Sequence, residues 1–172
     1  KGFVGCVLNC PAIYGDIPPL PVTLLLRYGL APLFPTWTPF FMPHPVNPNR
    51  IWKDEEPRLY HTDPKNLKGL SKGGNPFCLG TAAGLLGAME AVQADVIPGF
   101  NVPFTVNHGT EDHSVPITGS EFLMKESATP EEDKALNKIE GGFHDLYSQS
   151  DARESMQKEM DWMNARIAKR AN

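Results

Sequence analysis

From residue 102 onward the chain alternates strand-like and helix-like segments, and each strand-like segment runs into a polar turn. In NVPFTVNHGTEDHSVP, residues 101–116, an apolar and β-branched run at 102–106 is followed by His108, Asp112 and His113. Pro116 then precedes a helical pattern at 119–127. A second strand-like run at 134–140 leads into IEGGFHDLY, residues 139–147, which places His144 just beyond Gly141 and Gly142. A long helical pattern at 151–170 follows. Strands separated by helices cannot pair as hairpins, so this order predicts an open parallel sheet with helices on its faces. Reactive groups in such sheets gather at the carboxyl ends of the strands, which is where Asp112 and His144 fall.

The front of the chain fits the same sheet. Residues 3–9, FVGCVLN, form a nearly continuous apolar run, as expected of a parallel strand covered on both faces. Cys10-Pro11 ends it. Residues 16–99 do not alternate and read as one long insertion between the first and second visible strands. Within it, 20–30 is a short helix after Pro21, and 31–48 is crowded with prolines and aromatic rings. Residues 49–64 hold at most one short helix, 68–76 form a Gly- and Lys-rich loop, and 79–95 form a helix despite Gly80, Gly84 and Gly87. Residues 20–41 match a membrane span in length, but Arg27 and the prolines argue against a spanning helix. In the terminal helix Ala152, Met156, Met160, Met163 and Ile167 make the apolar face, with Arg153, Lys158, Glu159 and Arg166 largely elsewhere. Asp151 followed by Glu154 resembles a capping box. The chain enters a strand almost at Lys1, so it reads as the later part of a longer protein, with no signal peptide in view.

At 172 residues, with 41% hydrophobic and 21% charged residues, the composition is that of an ordered globular unit. A formal charge of −4 without a basic cluster argues against a nucleic-acid partner. Cys6, Cys10 and Cys78 have no metal-like spacing and are expected to be reduced, buried thiols of an intracellular protein.

An acid after one strand and a histidine after the next are the last two members of a Ser…Asp…His order. Asp112 would accept the Nδ1 proton of His144 and fix its tautomer, and His144 would take a proton from a serine hydroxyl. Gly141 and Gly142 would let the backbone turn that aims His144. The plainer alternative is a turn aspartate that caps the next segment and a surface histidine. His108 and His113 suit neither a helical metal pair nor a finger, so no metal site is expected; His108 reads as a hydrogen-bonding residue at the strand end and His113 as a turn residue. His44 and His61, in the insertion, read as solvent-facing. Ser71, in Gly69-Leu70-Ser71-Lys72-Gly73, fits G-x-S-x-G. Its flanks supply neither a buried strand before it nor a helix directly after it, so it reads as a loop serine rather than a nucleophile.

These segments resemble the monoacylglycerol lipase family of α/β-hydrolases, which includes lysophospholipase-like relatives. His108-Gly109-Thr110-Glu111-Asp112-His113-Ser114-Val115-Pro116 is similar to that family's H-G-x-x-D-x-x-V segment, and Gly141-Gly142-Phe143-His144-Asp145 to its G-x-aromatic-H-acidic segment. The resemblance implies that Asp112 is the triad acid and His144 the triad base. It also implies a partial α/β-hydrolase fold: residues 1–15 a core strand, 16–99 a cap, and 100–172 the C-terminal core. The family's oxyanion-hole and G-x-S-x-G segments would precede Lys1, and Asn107 stands where an apolar residue is more usual.

Together these readings describe the later portion of a serine hydrolase acting on carboxylic esters of single-chain lipids, monoacylglycerol or lysophospholipid, with no cofactor. Leu25, Leu30, Phe34, Trp37, Phe40 and Phe41 would bind the acyl chain or rest on a membrane surface, or simply cover the sheet. The missing N-terminal half would be the partner that completes the sheet and supplies the nucleophile; the expected location is cytoplasmic or peripheral to a membrane. The rival reading is a non-catalytic α/β-hydrolase-like module that serves a larger assembly.

Overall fold

The computed structural model describes residues 3–40, 47–63, 65 and 78–171. Three strands, β1 (Cys6–Asn9), β2 (Phe104–Gly109) and β3 (Lys134–Ile139), form a parallel sheet in that order. The expected strands are present, but β2 starts and ends later than the apolar run suggests. Pro103 cannot donate to a ladder, and its carbonyl instead receives the Cys6 amide at 2.9 Å. At the other end the strand continues through Asn107 and His108 because both polar side chains find buried partners.

The described elements between β1 and β2 are helical. They are α1 (Leu20–Leu24), which runs on as a π-helical turn at Leu25–Leu30 into α2 (Ala31–Leu33), then α3 (Pro48–Ile51), α4 (Glu55–Thr62) and α5 (Leu79–Ala91). The stretch 49–64 thus carries two helical segments where one at most was expected; Asn47 caps the first, accepting from the Asn49 amide at 3.1 Å. A wider π turn (Val92–Val96) extends α5 toward Pro98. After β2 comes α6 (Thr118–Glu126), and after β3 comes α7 (Ala152–Ala171). Among the described residues no helix is long and apolar enough to cross a membrane.

The two faces of the sheet differ in chemistry. Toward α6, Phe104 and Val106 pack with Ile13, Ile97 and Leu123 in the apolar core, with Cys6, Leu8 and Leu136 against them. Toward α7 the register aligns Asn9, Asn107 and Asn137 across all three strands. Their side-chain amides form a ladder: Asn137 Nδ2 donates to Asn107 Oδ1 at 2.8 Å, and Asn107 Nδ2 to Asn9 Oδ1 at 3.1 Å. Asn107 Nδ2 also reaches Glu159 Oε1 of α7 at 2.7 Å, and Tyr147 donates to Glu159 Oε2 at 2.8 Å. This ladder is why Asn107 can stand where an apolar residue was expected.

The same ladder corrects the reading of α7. Its inward face is Ala152, Ser155 and Glu159, because a polar sheet face needs polar partners. The methionine stripe turns outward: Met156, Met160, Met163 and Ile167 are all exposed, Ile167 by 57%. Trp162 lies against Gly5, and Arg166 pairs with Asp133. At the start of α7 Asp151 accepts from Lys53 Nζ at 3.0 Å and Glu154 from Lys158 Nζ at 2.7 Å, and the Glu154 amide bonds the Asp151 carbonyl at 3.2 Å. The cysteines are free, as expected, but only Cys10 is buried.

Candidate active site

Two turns at the carboxyl end of the sheet build the site. Their closeness is set by backbone hydrogen bonds between them: the Thr110 amide reaches the Ile139 carbonyl at 2.9 Å and the Glu111 amide the Gly142 carbonyl at 2.9 Å. Thr110 Oγ1 accepts the Gly141 amide at 2.9 Å. Gly141 has φ +64, so this turn needs the left-handed region that glycine enters without penalty. Gly142 is held by close packing against Ile139 and Leu146 instead.

These turns bring Asp112 and His144 together, with His144 Nδ1 donating to Asp112 Oδ2 at 2.8 Å. The other carboxylate oxygen accepts the Ser114 amide at 2.8 Å and the Val115 amide at 2.9 Å. Burial of the 0%-exposed Asp112 side chain pushes its pKa up, but the His144 hydrogen bond and the two amides outweigh it and hold it below the usual carboxylate range. His144 keeps 31% of its side-chain surface open. An oriented imidazole with one edge accessible and a fixed anion behind it can accept a proton from a hydroxyl and return it to a leaving group.

His108 supports this arrangement from below. It sits near the end of β2, as expected, and is fully buried. Its Nε2 lies 3.1 Å from the Val115 carbonyl, which can only accept, so Nε2 carries the proton; Nδ1 then accepts from Ser120 Oγ at 2.7 Å. Burial lowers the His108 pKa, only partly opposed by the Val115 carbonyl and Asp112. A folded pKa below the unfolded value means that the unfolded chain binds more protons as pH falls below about 6.5. Stability from neutral His108 is therefore complete above that pH and lost on acidification. Urea midpoints should fall between pH 7 and 5, and His108→Gln should flatten that dependence; an unchanged slope in the variant would remove His108 from the account.

Sequence reasoning missed Cys10. Its thiol is buried, and Sγ lies within 4.8 Å of ligand atoms of both Asp112 and His144. Cys10 has φ +43, an unusual conformation for a residue with a side chain, and no sequence signal announces it. Burial pushes the thiol pKa up to about 12. His113 lies near exposed Glu111 and edge-on to Phe143. His61 stacks on Trp52 at 4.7 Å. His44, Ser71 and Phe41 lie outside the described residues.

A cavity of about 680 Å³ opens between the π turn after α1 and α5, walled on its apolar side by Leu26, Leu79, Leu86 and Met89. Ser114, whose amide holds Asp112, is part of its wall, as are Asn47 and Arg50. The described members of the expected acyl-binding set do not line it. Leu25, Phe34, Trp37 and Phe40 are exposed, Phe40 by 95%, and Leu30 is half-buried. Adjacent positions on a helix point in different directions, so Leu26 lines the cavity while its neighbour Leu25 is exposed.

A hydrolase family model described as serine aminopeptidase, S33, matches residues 1–151. The chain belongs to this hydrolase family. No curated protein matches it. Among solved structures it is similar to the monoacylglycerol lipase of Paleococcus ferrophilus, with a TM-score of 0.71 and 17% identity over 93% of this chain. It is also similar to a soluble variant of monoglyceride lipase from Saccharomyces cerevisiae in complex with a substrate analog, with a TM-score of 0.69 and 16% identity over 95% of this chain. The fold is therefore α/β-hydrolase-like. The chain spans 58% and 56% of those two chains, so it presents part of that fold.

Proposed function

We propose that this chain supplies the acid, Asp112, and the base, His144, of a serine hydrolase that cleaves carboxylic esters of single-chain lipids. The nucleophile and oxyanion donors come from a segment outside it. The observation that carries this reading is the 2.8 Å bond between Asp112 and His144 at the carboxyl end of a parallel sheet, with Ser114 joining that turn to the cavity wall. In the mechanism His144 takes the serine proton as the hydroxyl attacks the ester carbonyl, then gives it to the departing alcohol. Water repeats the cycle on the acyl-enzyme, and Asp112 stabilises the imidazolium each time without being protonated.

Residues 16–99 would form the cap of this enzyme. A single acyl chain would lie in the cavity against Leu26, Leu79, Leu86 and Met89, whose volume falls in the range of small-molecule sites. The exposed Leu25, Phe34, Trp37 and Phe40 suit a different part of the same task, resting on the lipid surface from which substrate is drawn. Two experiments follow for the complete protein. Monoacylglycerol and lysophospholipid should be cleaved faster than acetyl esters, and aminoacyl amides should be poor substrates; preference for the amides would place the activity with the aminopeptidases instead. Changing Phe34 and Phe40 together to serine should weaken liposome flotation about tenfold or more, since each buried ring contributes roughly 1.5–3 kcal/mol. Unchanged flotation would leave these residues with no membrane role.

A further inference from the structure

The loop that carries His144 is held from the side by the insertion. The Asp145 amide donates to the Ile51 carbonyl at 3.0 Å, and Trp52 Nε1 donates to Asp145 Oδ2 at 2.8 Å. Lys53 Nζ reaches Asp151 Oδ2 at 3.0 Å, and the Ser150 amide donates to Asp54 Oδ2. Four consecutive residues thus grip the loop on both sides of its turn. Asp145 is the central piece. Its Oδ1 accepts the Tyr147 and Ser148 amides at 3.1 and 3.2 Å, while its Oδ2 accepts the Ser148 hydroxyl at 2.7 Å besides the Trp52 indole. Burial pushes the Asp145 pKa up, but Ser148 and Trp52 outweigh it and keep the carboxyl below its usual value. Trp52 is itself locked by the parallel ring of His61. On the other side of the same stretch, Asn47 and Arg50 belong to the cavity wall.

We propose that Trp52 is a positioning residue for His144, and that residues 51–54 clamp the base loop to the helix that walls the cavity. Resting on the hydrolase reading above, this links substrate seating to alignment of the base: substrate in the cavity whose wall includes Asn47 and Arg50 braces α3, and α3 braces His144 through Asp145. Displacing a catalytic group by about 1 Å can cost on the order of a hundredfold in rate, so one indole hydrogen bond adjacent to the base is enough to matter.

The test is Trp52→Phe in the complete protein, which keeps the ring against His61 and removes only the indole donor. Amide hydrogen exchange at residues 145–150 should rise about tenfold or more, since the lost hydrogen bond runs to a charged acceptor. kcat should fall about tenfold or more with KM within about twofold, and Asp145→Ala should make the Trp52 change nearly silent in a double-mutant cycle. Unchanged exchange in the loop overturns the clamp whatever the enzyme hydrolyses. Unchanged kcat, with hydrolysis still abolished by His144→Ala, overturns the positioning role and leaves the hydrolase reading standing. Hydrolysis that survives His144→Ala overturns the hydrolase reading and, with it, any positioning of a base by Trp52.

Discussion

Asp112→Asn in the complete hydrolase is expected to lower kcat about ten-thousandfold, the scale seen when a triad acid loses its charge with geometry intact. The reason lies in how the carboxylate is shared. Oδ1 is fixed by the Ser114 and Val115 amides, which can only donate, so an asparagine oxygen must take that side. Its NH₂ group then faces His144 Nδ1 and forces the imidazole into the tautomer with its proton on Nε2. That ring cannot accept a proton from serine. Stability should change far less than activity, because both backbone contacts survive. A loss of less than tenfold at neutral pH would mean that Asp112 does not orient the base.

The second large effect is on folding. A Cβ at Gly109 would lie 2.2 Å from the Gly142 carbonyl oxygen and 2.6 Å from that of Phe143. Both are backbone atoms of the turn that carries His144, so the clash cannot be relieved by rotating a side chain. Gly109→Ala should cost 3 kcal/mol or more, about the upper end of overpacking penalties, and should abolish activity even where some folded protein remains. Gly84→Ala is the contrast. A Cβ there meets nothing within 4 Å, and the residue lies inside α5, so stability should rise by about 0.5–1 kcal/mol. Urea unfolding of the two variants checks both signs; equal midpoints would show that the close approach at Gly109 does not constrain the fold.

Much of this was legible because strand-to-turn chemistry is local. The alternation after residue 102 and the apolar run at 3–9 specify a parallel sheet, and the residues past each strand identify Asp112 and His144 without knowledge of the packing. What escaped depends on which surfaces meet. Helical periodicity finds an apolar stripe on α7, but it cannot know that the facing sheet carries three asparagines in register and requires Glu159. Leu25 and Leu26 are equivalent in composition, and only the three-dimensional course of the π turn decides that Leu26 meets the cavity. Cys10 and Trp52 lie 134 and 92 positions before His144 in the sequence, so no local spacing links them to it. Asp145 was seen only as part of a motif, and its role in gripping the insertion emerges from long-range hydrogen bonds.

On the proposed function, Asp112 and His144 serve a serine supplied from outside this chain. Labelling with a serine-reactive fluorophosphonate tests it most directly, using this 172-residue chain and the complete protein side by side. The expected result is labelling of the complete protein at a serine beyond this segment, abolished by His144→Ala, with none on the short chain. Labelling of the short chain at Ser71, or labelling of the complete protein that survives His144→Ala, would contradict it.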